Sequence, residues 1–319
     1  MKLIVIAALC LASVSHAQTT WTLATGYRAE SFHTENLAQF GSELEVATGG
    51  QLKLKLAPNG SLVKLADIRQ AVQDGKIEAG ETIMSSLVKD MPLAGADSVP
   101  FVVNTYPNAQ RLWQLQRPGI ERQFEQRGLK VLYAVPWPPQ GLFSTRPLNT
   151  AADFKGVKMR TYNQTTVRIA EMLGAVPVDV AMVDVGRAVA EGRMQTMITS
   201  AVTGVENKVW GPVKYYYEIN AWFPKNIVFV NASSFERLSP SVRSAVVVAA
   251  RAAERRGWLA SEAVAHSSTK TLLAQGIKIE RLSPDLETEI KRMGERFSRE
   301  WVRAVGNDAN AVFVPYYIN

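Results

Sequence analysis

The stretch Asp153-Phe154-Lys155-Gly156-Val157-Lys158-Met159-Arg160-Thr161-Tyr162-Asn163 sets an arginine at the end of a short strand, directly before a helix. Val157 and Met159 alternate with Lys158 and Arg160, the period of a strand. Val167, Ala170 and Leu173 then recur at helical spacing over 165–173. In an open α/β sheet the carboxyl end of such a strand is where a ligand meets the chain. A guanidinium there offers a planar fork of donors that matches a carboxylate, each charge-assisted bond contributing about 1.5 to 3 kcal/mol. The alternative for Arg160 is a surface pair with a neighbouring Asp or Glu, which contributes little. The rest of the chain has to separate the two.

At the amino end, Lys2 precedes an apolar run over 3–12, and Ser15-His16-Ala17 supplies a small-residue cleavage site. This is the pattern of a secretory signal peptide over 1–17. About ten apolar residues fall short of the roughly 20 needed to span a bilayer. Leu9, before Cys10, is bulkier than lipidation of that cysteine would want. Cleavage would remove the only cysteine, leaving a chain without disulfides that depends on core burial. A chain of about 300 residues can bury roughly 75% of its unfolded surface, and commonly divides into two domains. No later apolar run reaches spanning length, so the mature product is expected to be soluble in the periplasm, with no membrane-spanning part.

The formal net charge is +7, but Lys and Arg are scattered, with no basic tract interleaved with aromatics. That excludes nucleic acid as the expected partner. Arg251, Arg255 and Arg256 form the densest basic group, on an Ala-rich helical segment, and are expected to be a solvated face. The charge at most favours an anionic ligand.

Strand-like and helix-like stretches alternate along the chain. Strands are expected over 21–25, 51–57, 77–84 and 130–135, with helices over 34–46, 63–73 and 109–126, the last with Pro118 as a possible kink. Trp137-Pro138-Pro139-Gln140 breaks this run, because two adjacent prolines cannot lie inside a central strand or a helix. A second α/β region follows, with strands near 141–144, 157–160, 176–178 and 194–198 and helices near 165–173 and 184–191. A second crossing is expected at Ala221-Trp222-Phe223-Pro224-Lys225-Asn226, before a β-rich run over 227–231. The segment 239–273 then reads as one helix starting near Pro240, about 45 Å long and enough to brace two domains.

Only His33 and His266 remain after cleavage, far apart and without acidic or cysteine clusters, so neither a metal nor a cofactor is expected. His33 suits a capping or surface role before the first helix, with Ser31 as the cap. Asp184 suits a helix start. Serine-hydrolase elbow, phosphate loop and dinucleotide fingerprint are all missing from the sequence, and nothing recommends an enzyme. Polar and aromatic groups do gather beside the two crossings: Trp137, Gln140, Phe143, Arg160, Asn163, Thr199, Ser200, Trp210, Trp222 and Asn226. Taken singly, each aromatic suits a core better than a ligand contact. As a set they suit a cleft between domains, with apolar walls and a few oriented polar groups.

From Trp21 to about Arg303 the chain resembles the solute-binding proteins of tripartite ATP-independent periplasmic (TRAP) transporters, the DctP-like family. The most specific piece runs from Thr145-Arg146-Pro147-Leu148 through Ala152 to Arg160 and looks like the family signature. Gly49-Gly50-Gln51-Leu52-Lys53-Leu54, the helix over 65–75 and Ser98-Val99-Pro100-Phe101 support it. The resemblance implies a two-domain periplasmic-binding-protein-like α/β fold with mixed sheets flanked by helices and a long helix bracing both domains. With the two crossings, this divides the mature chain into 18–137 plus 226–265 and 138–225 plus 266–319, the ligand lying between. It further implies capture of an organic acid, its carboxylate clamped by Arg160, and delivery to the membrane permease subunits.

Two departures bear on the ligand. Many relatives have a second arginine where Gln140 stands, and many carry Asp-Gly and Glu-Asn near the place of Gln195-Thr196-Met197-Ile198-Thr199-Ser200. With one charged clamp, a monocarboxylate is easier to compensate than a ligand bearing two carboxylates. The aromatic set suits an aromatic or 2-oxo monocarboxylate in preference to a C4-dicarboxylate or a sugar acid. A secreted hydrolase or lyase on a similar scaffold, and a sensory ligand-binding component, are the competing readings.

Overall fold

A computed structural model describes residues 18–318; the expected signal peptide and Cys10 lie outside the described residues. The strands in chain order are β1 (Thr19–Ala24), β2 (Leu52–Ala57), β3 (Ala79–Ile83), β4 (Leu129–Pro136), β5 (Gln140–Ser144), β6 (Lys158–Thr161), β7 (Val176–Asp179), β8 (Thr196–Ser200), β9 (Tyr215–Tyr217), β10 (Lys225–Asn231) and β11 (Lys278–Glu280). They form two mixed sheets, ordered β2-β1-β3-β10-β4 and β11-β9-β5-β8-β6-β7. In the first, β1 runs parallel to β2 and β3 while β10 is antiparallel to β3 and β4. In the second, β6 is parallel to β7 and β8, and β5 is antiparallel to β8 and β9. Strand β10 is buried from Lys225 to Val230 without alternation, as a central strand covered on both faces must be.

The helices are α1 (Phe32–Ala47), α2 (Ile68–Gln73), α3 (Tyr106–Glu125), α4 (Gln164–Met172), α5 (Val185–Ala190), α6 (Ala201–Glu206), α7 (Ala232–Glu236), α8 (Pro240–Ala274), α9 (Pro284–Val305) and α10 (Asn307–Ile318). They flank the sheets in the expected α/β arrangement. The 35-residue α8 starts at a Ser239 cap with Pro240 in its first turn, and touches α1 and β4 of one unit and α6 and β11 of the other. Gly257 permits that approach: a Cβ there would lie 2.4 Å from a methyl of Val135. Glu254, one turn earlier, accepts from Trp113 Nε1, Arg117 Nη1 and the backbone N–H of Ala134, binding α8 to α3 and β4.

Both crossings between the sheets run side by side. The N–H of Trp137 donates to the oxygen of Pro224 at 2.8 Å, and that of Gln140 donates to Trp222 at 3.0 Å. Beside them the ammonium of Lys225 and the carboxylate of Asp97 form a wholly buried pair at 3.3 Å, and the N–H of Lys225 donates to the same carboxylate.

One segment spans both units, and three local expectations need correction. Residues 284–318, placed with the second unit by the sequence division, form α9 and α10: α9 touches α4 of that unit, where Glu300 pairs with Arg168, and α10 lies on α3 of the first. Tyr316 donates to the oxygen of Val102, and Arg111 donates to that of Pro315. Leu286, Ile290, Met293, Phe297 and Trp301 make one buried stripe along α9, in the same apolar cluster as Val312, Phe313 and Tyr316 of α10. Ser31 and Asp184 hold N-cap positions, but neither side chain caps; Asp184 pairs with Arg187 instead. Of the three arginines expected to be solvated, Arg256 instead bonds Asn36 and Glu43 on α1.

Candidate functional site

Between the two sheets lies a cavity of about 500 Å³, walled by the carboxyl ends of β6, β7 and β8, the loop after β1, and the crossings. A groove of about 600 Å³ between α3 and α8 is larger, but its Trp113, Arg117 and Glu254 already satisfy one another. In the cavity, by contrast, the terminal nitrogens of Arg160 and the Oε1 of Gln140 have no partner among the described residues.

Arg160 is the last residue but one of β6, flanked by β7 and β8, and is only 3% exposed. Its Nε donates to the oxygen of Val180 at 2.9 Å, and its guanidinium carbon lies 4.7 Å from the centre of the Tyr162 ring. Among the described residues, its two terminal nitrogens make no hydrogen bond, and no carboxylate approaches within 4.0 Å. Burial pulls its pKa down to about 10, against the opposing effects of Tyr162, Tyr27 and Asp179, so it remains a cation at neutral pH. A buried cation without a counter-charge is costly, and an anionic ligand relieves that cost.

Gln140 is buried at the start of β5, where Nε2 donates to Pro138 at 2.8 Å. Its Oε1 has no protein partner among the described residues and stands on the cavity wall as an acceptor. Thr199 and Ser200 end β8 on the same wall, and the Ser200 hydroxyl lies 3.2 Å from that of Thr203. Lys64 and Asp179, both exposed, stand on the rim with opposite charges.

Trp137 lines the cavity and donates Nε1 to Asn226 Oδ1 at 2.9 Å; the Tyr27 hydroxyl, also on the wall, donates to the same oxygen at 3.1 Å. Asn226 therefore holds two wall residues from behind. Deeper still, Glu81 accepts from Thr25 Oγ1 at 2.6 Å and lies 3.5 Å from His33 Nδ1. Burial raises the Glu81 carboxyl to about 7, and burial holds the His33 imidazole well below its ordinary value, so His33 is neutral. The capping or surface role expected for His33 is corrected here. It is 1% exposed and packed against Phe32 and Trp137, with ring centres 4.1 and 4.4 Å away.

Of the ten residues expected to face a cleft, the structure thus brings Arg160, Gln140, Trp137, Thr199 and Ser200 together on one wall. Asn226 lies behind it. Asn163 caps α4, accepting from the Thr166 N–H at 2.9 Å, and its Nδ2 donates to Ser85 Oγ across the cleft at 2.6 Å. Phe143 faces the second unit's core against Tyr216, and Trp210 packs half-buried on that same core. Trp222 is buried in the core under the crossing. Tyr27, Tyr162 and Met182 line the cavity without having been expected there. Tyr162 had a signal, since it sits two residues beyond Arg160 and so on the same side of an extended chain.

Among the described residues, no group of three His, Cys, Asp or Glu could hold a metal ion. No helix among them is long and apolar enough to cross a membrane.

Solved relatives share this fold. DctP6, a Bordetella pertussis extracytoplasmic solute receptor binding pyroglutamic acid, is 34% identical and superposes with a TM-score of 0.92 over 94% of this chain and 100% of its own. A marine metagenome TRAP solute-binding protein specific for pyroglutamate is also 34% identical, with a TM-score of 0.91 over 94% of this chain and 99% of its own. The 2,3-diketo-L-gulonate-binding periplasmic protein YiaO of Escherichia coli is 26% identical over 247 residues, 73% of this chain and 72% of that protein. Residues 23–303 match the family model DctP, bacterial extracellular solute-binding protein, family 7. The chain therefore belongs to the DctP family of bacterial extracellular solute-binding proteins, whose solved relatives include TRAP periplasmic solute-binding proteins.

Proposed function

We propose that this protein captures a compact organic monocarboxylate in the periplasm and delivers it to the membrane permease of a TRAP transporter, and that it catalyses no reaction. The observation that carries the reading is the buried guanidinium of Arg160 on the cavity wall, whose two terminal nitrogens have no partner among the described residues. A carboxylate would take both in parallel bonds. Behind it, Gln140 offers an acceptor and Thr199 and Ser200 offer hydroxyls, a set that suits a ring bearing one N–H and one carbonyl. Pyroglutamate has that chemistry, and the two receptors at 34% identity are described as binding it. A second carboxylate would meet no buried cation, since Lys64 is exposed and Asp179 shares its rim.

The test is a native mass spectrum of the mature chain as purified, followed by a thermal-shift screen of monocarboxylates, C4-dicarboxylates and sugar acids. Pyroglutamate or a close cyclic monocarboxylate is expected to give the largest shift. A larger shift with a dicarboxylate or a sugar acid would overturn the ligand class.

A further inference from the structure

We propose that Arg28 is a positioning residue that latches the two units shut over the bound acid, setting how long the acid stays rather than how fast it enters. This rests on the reading above, in which the ligand lies between the sheets.

Arg28 follows Tyr27 in the loop between β1 and α1, on the first sheet's side of the cleft. Its guanidinium reaches across. Nη1 donates to the oxygen of Glu206 at 2.8 Å, and Nη2 donates to that of Val183 at 2.7 Å and to Asn207 Oδ1 at 3.3 Å. Glu206 closes α6, and the last carbonyls of a helix lack intrahelical partners and carry its negative end. Asn207 is held independently of Arg28, because its Nδ2 donates to Thr203 and its Oδ1 also accepts from the Gly186 N–H. The cradle is thus built by the second unit alone, before the arginine arrives.

The same two segments carry the cavity wall. Val183 lines it directly, and α6 contributes Thr203 one turn before Glu206. An acid that seats against Val183 and Thr203 therefore brings the three acceptors into register with Arg28. In an open form the guanidinium and the acceptors would return to water, so these bonds favour the closed form only. Their strength enters the dissociation rate, since the latch must break before the ligand can leave, while entry takes place with the latch undone.

The experiment is stopped-flow tryptophan fluorescence with calorimetry on the mature chain, using pyroglutamate as the probe and the wider monocarboxylate panel if pyroglutamate does not bind. Arg28→Ala is expected to speed dissociation about 10- to 100-fold and change the association rate by less than about 3-fold. Arg28→Lys should fall between, because one ammonium cannot span acceptors on two segments. The Tm of the ligand-free protein should move by less than about 2 °C, which a purely structural role would not allow. Unchanged dissociation in Arg28→Ala, or a fall in ligand-free Tm that accounts for the whole loss of affinity, would overturn the latch. Such results with a wild type that binds leave the functional reading standing. A wild type that binds no acid of the panel overturns that reading, and the latch with it.

Discussion

The Nε of Arg160 donates to the main-chain oxygen of Val180 at 2.9 Å, and that bond determines which edge of the guanidinium meets the cavity. With Nε committed to the segment after β7, the two terminal nitrogens form the outward fork. Tyr162 lies beside the guanidinium, 4.7 Å from its ring centre to the guanidinium carbon, and restrains it further. On the proposed reading the guanidinium is oriented before a ligand arrives, which lowers the ordering cost of binding.

Arg160→Lys should consequently lose most of the affinity for a monocarboxylate even though the charge is kept. An ammonium cannot hold Val180 and present two parallel donors together. We expect a loss of about 2 to 5 kcal/mol for Arg160→Ala and only slightly less for Arg160→Lys, measured by calorimetry on folded protein. Wild-type affinity in the lysine variant would remove the fork from the account.

Gln140→Arg should turn the preference toward acids with a second anionic group, because it places a cation on the wall where the wild type has a neutral amide tied to Pro138. Binding of apolar monocarboxylates should weaken, as the new guanidinium would be buried without a partner. A paired screen of wild type and variant against mono- and dicarboxylates of similar size reads the change. A ranking that does not move would place Gln140 away from the ligand.

Asn226→Ala removes the acceptor shared by Trp137 and Tyr27 and leaves both donors buried and unpaired. The expected cost is about 1 to 3 kcal/mol of stability, with weaker ligand binding because two wall residues lose their support. Chemical denaturation and calorimetry would show the two losses together. A variant that is less stable but binds as tightly as wild type would separate the buried cluster from the site.

Much of the fold was legible from patterns of period and proline. The paired prolines after Trp137 and the run ending at Pro224 marked the two crossings, and strand-end placement singled out Arg160. The aromatics were harder, because residue type does not say which side of a sheet a ring faces. Phe143 is three residues beyond Gln140 on β5, an odd spacing that puts the two on opposite faces. Taking both as cleft residues conflicted with that rule. Trp210 and Trp222 had no comparable rule, since each lies outside a regular strand. His33 stood between acidic neighbours in the chain, and only the folded packing of Phe32 and Trp137 explains its burial. Leu286, Ile290, Met293 and Phe297 stand at helical spacing on α9, but what that stripe covers depends on tertiary packing that the local sequence does not contain.

Glu81 gives the protein a pH dependence whose sign follows from burial. Its native pKa of about 7 lies above the ordinary 4.5, so between those values the folded state holds the proton more tightly than the unfolded chain. The corresponding stability is fully present below about 4.5 and is lost as pH rises through about 7. Glu81→Gln should lose less stability than wild type between pH 5 and pH 8, as read from urea denaturation at the two values. Parallel behaviour of the two proteins would show that Glu81 does not titrate in that range.

The most direct test of the central claim is calorimetry of the mature wild-type protein with pyroglutamate and with its neutral carboxamide, which keeps the ring and changes only the charged group. If Arg160 clamps a carboxylate, the acid binds and the carboxamide binds at least about 100-fold more weakly. Equal affinity for the two, or tighter binding of the carboxamide, would contradict the clamp.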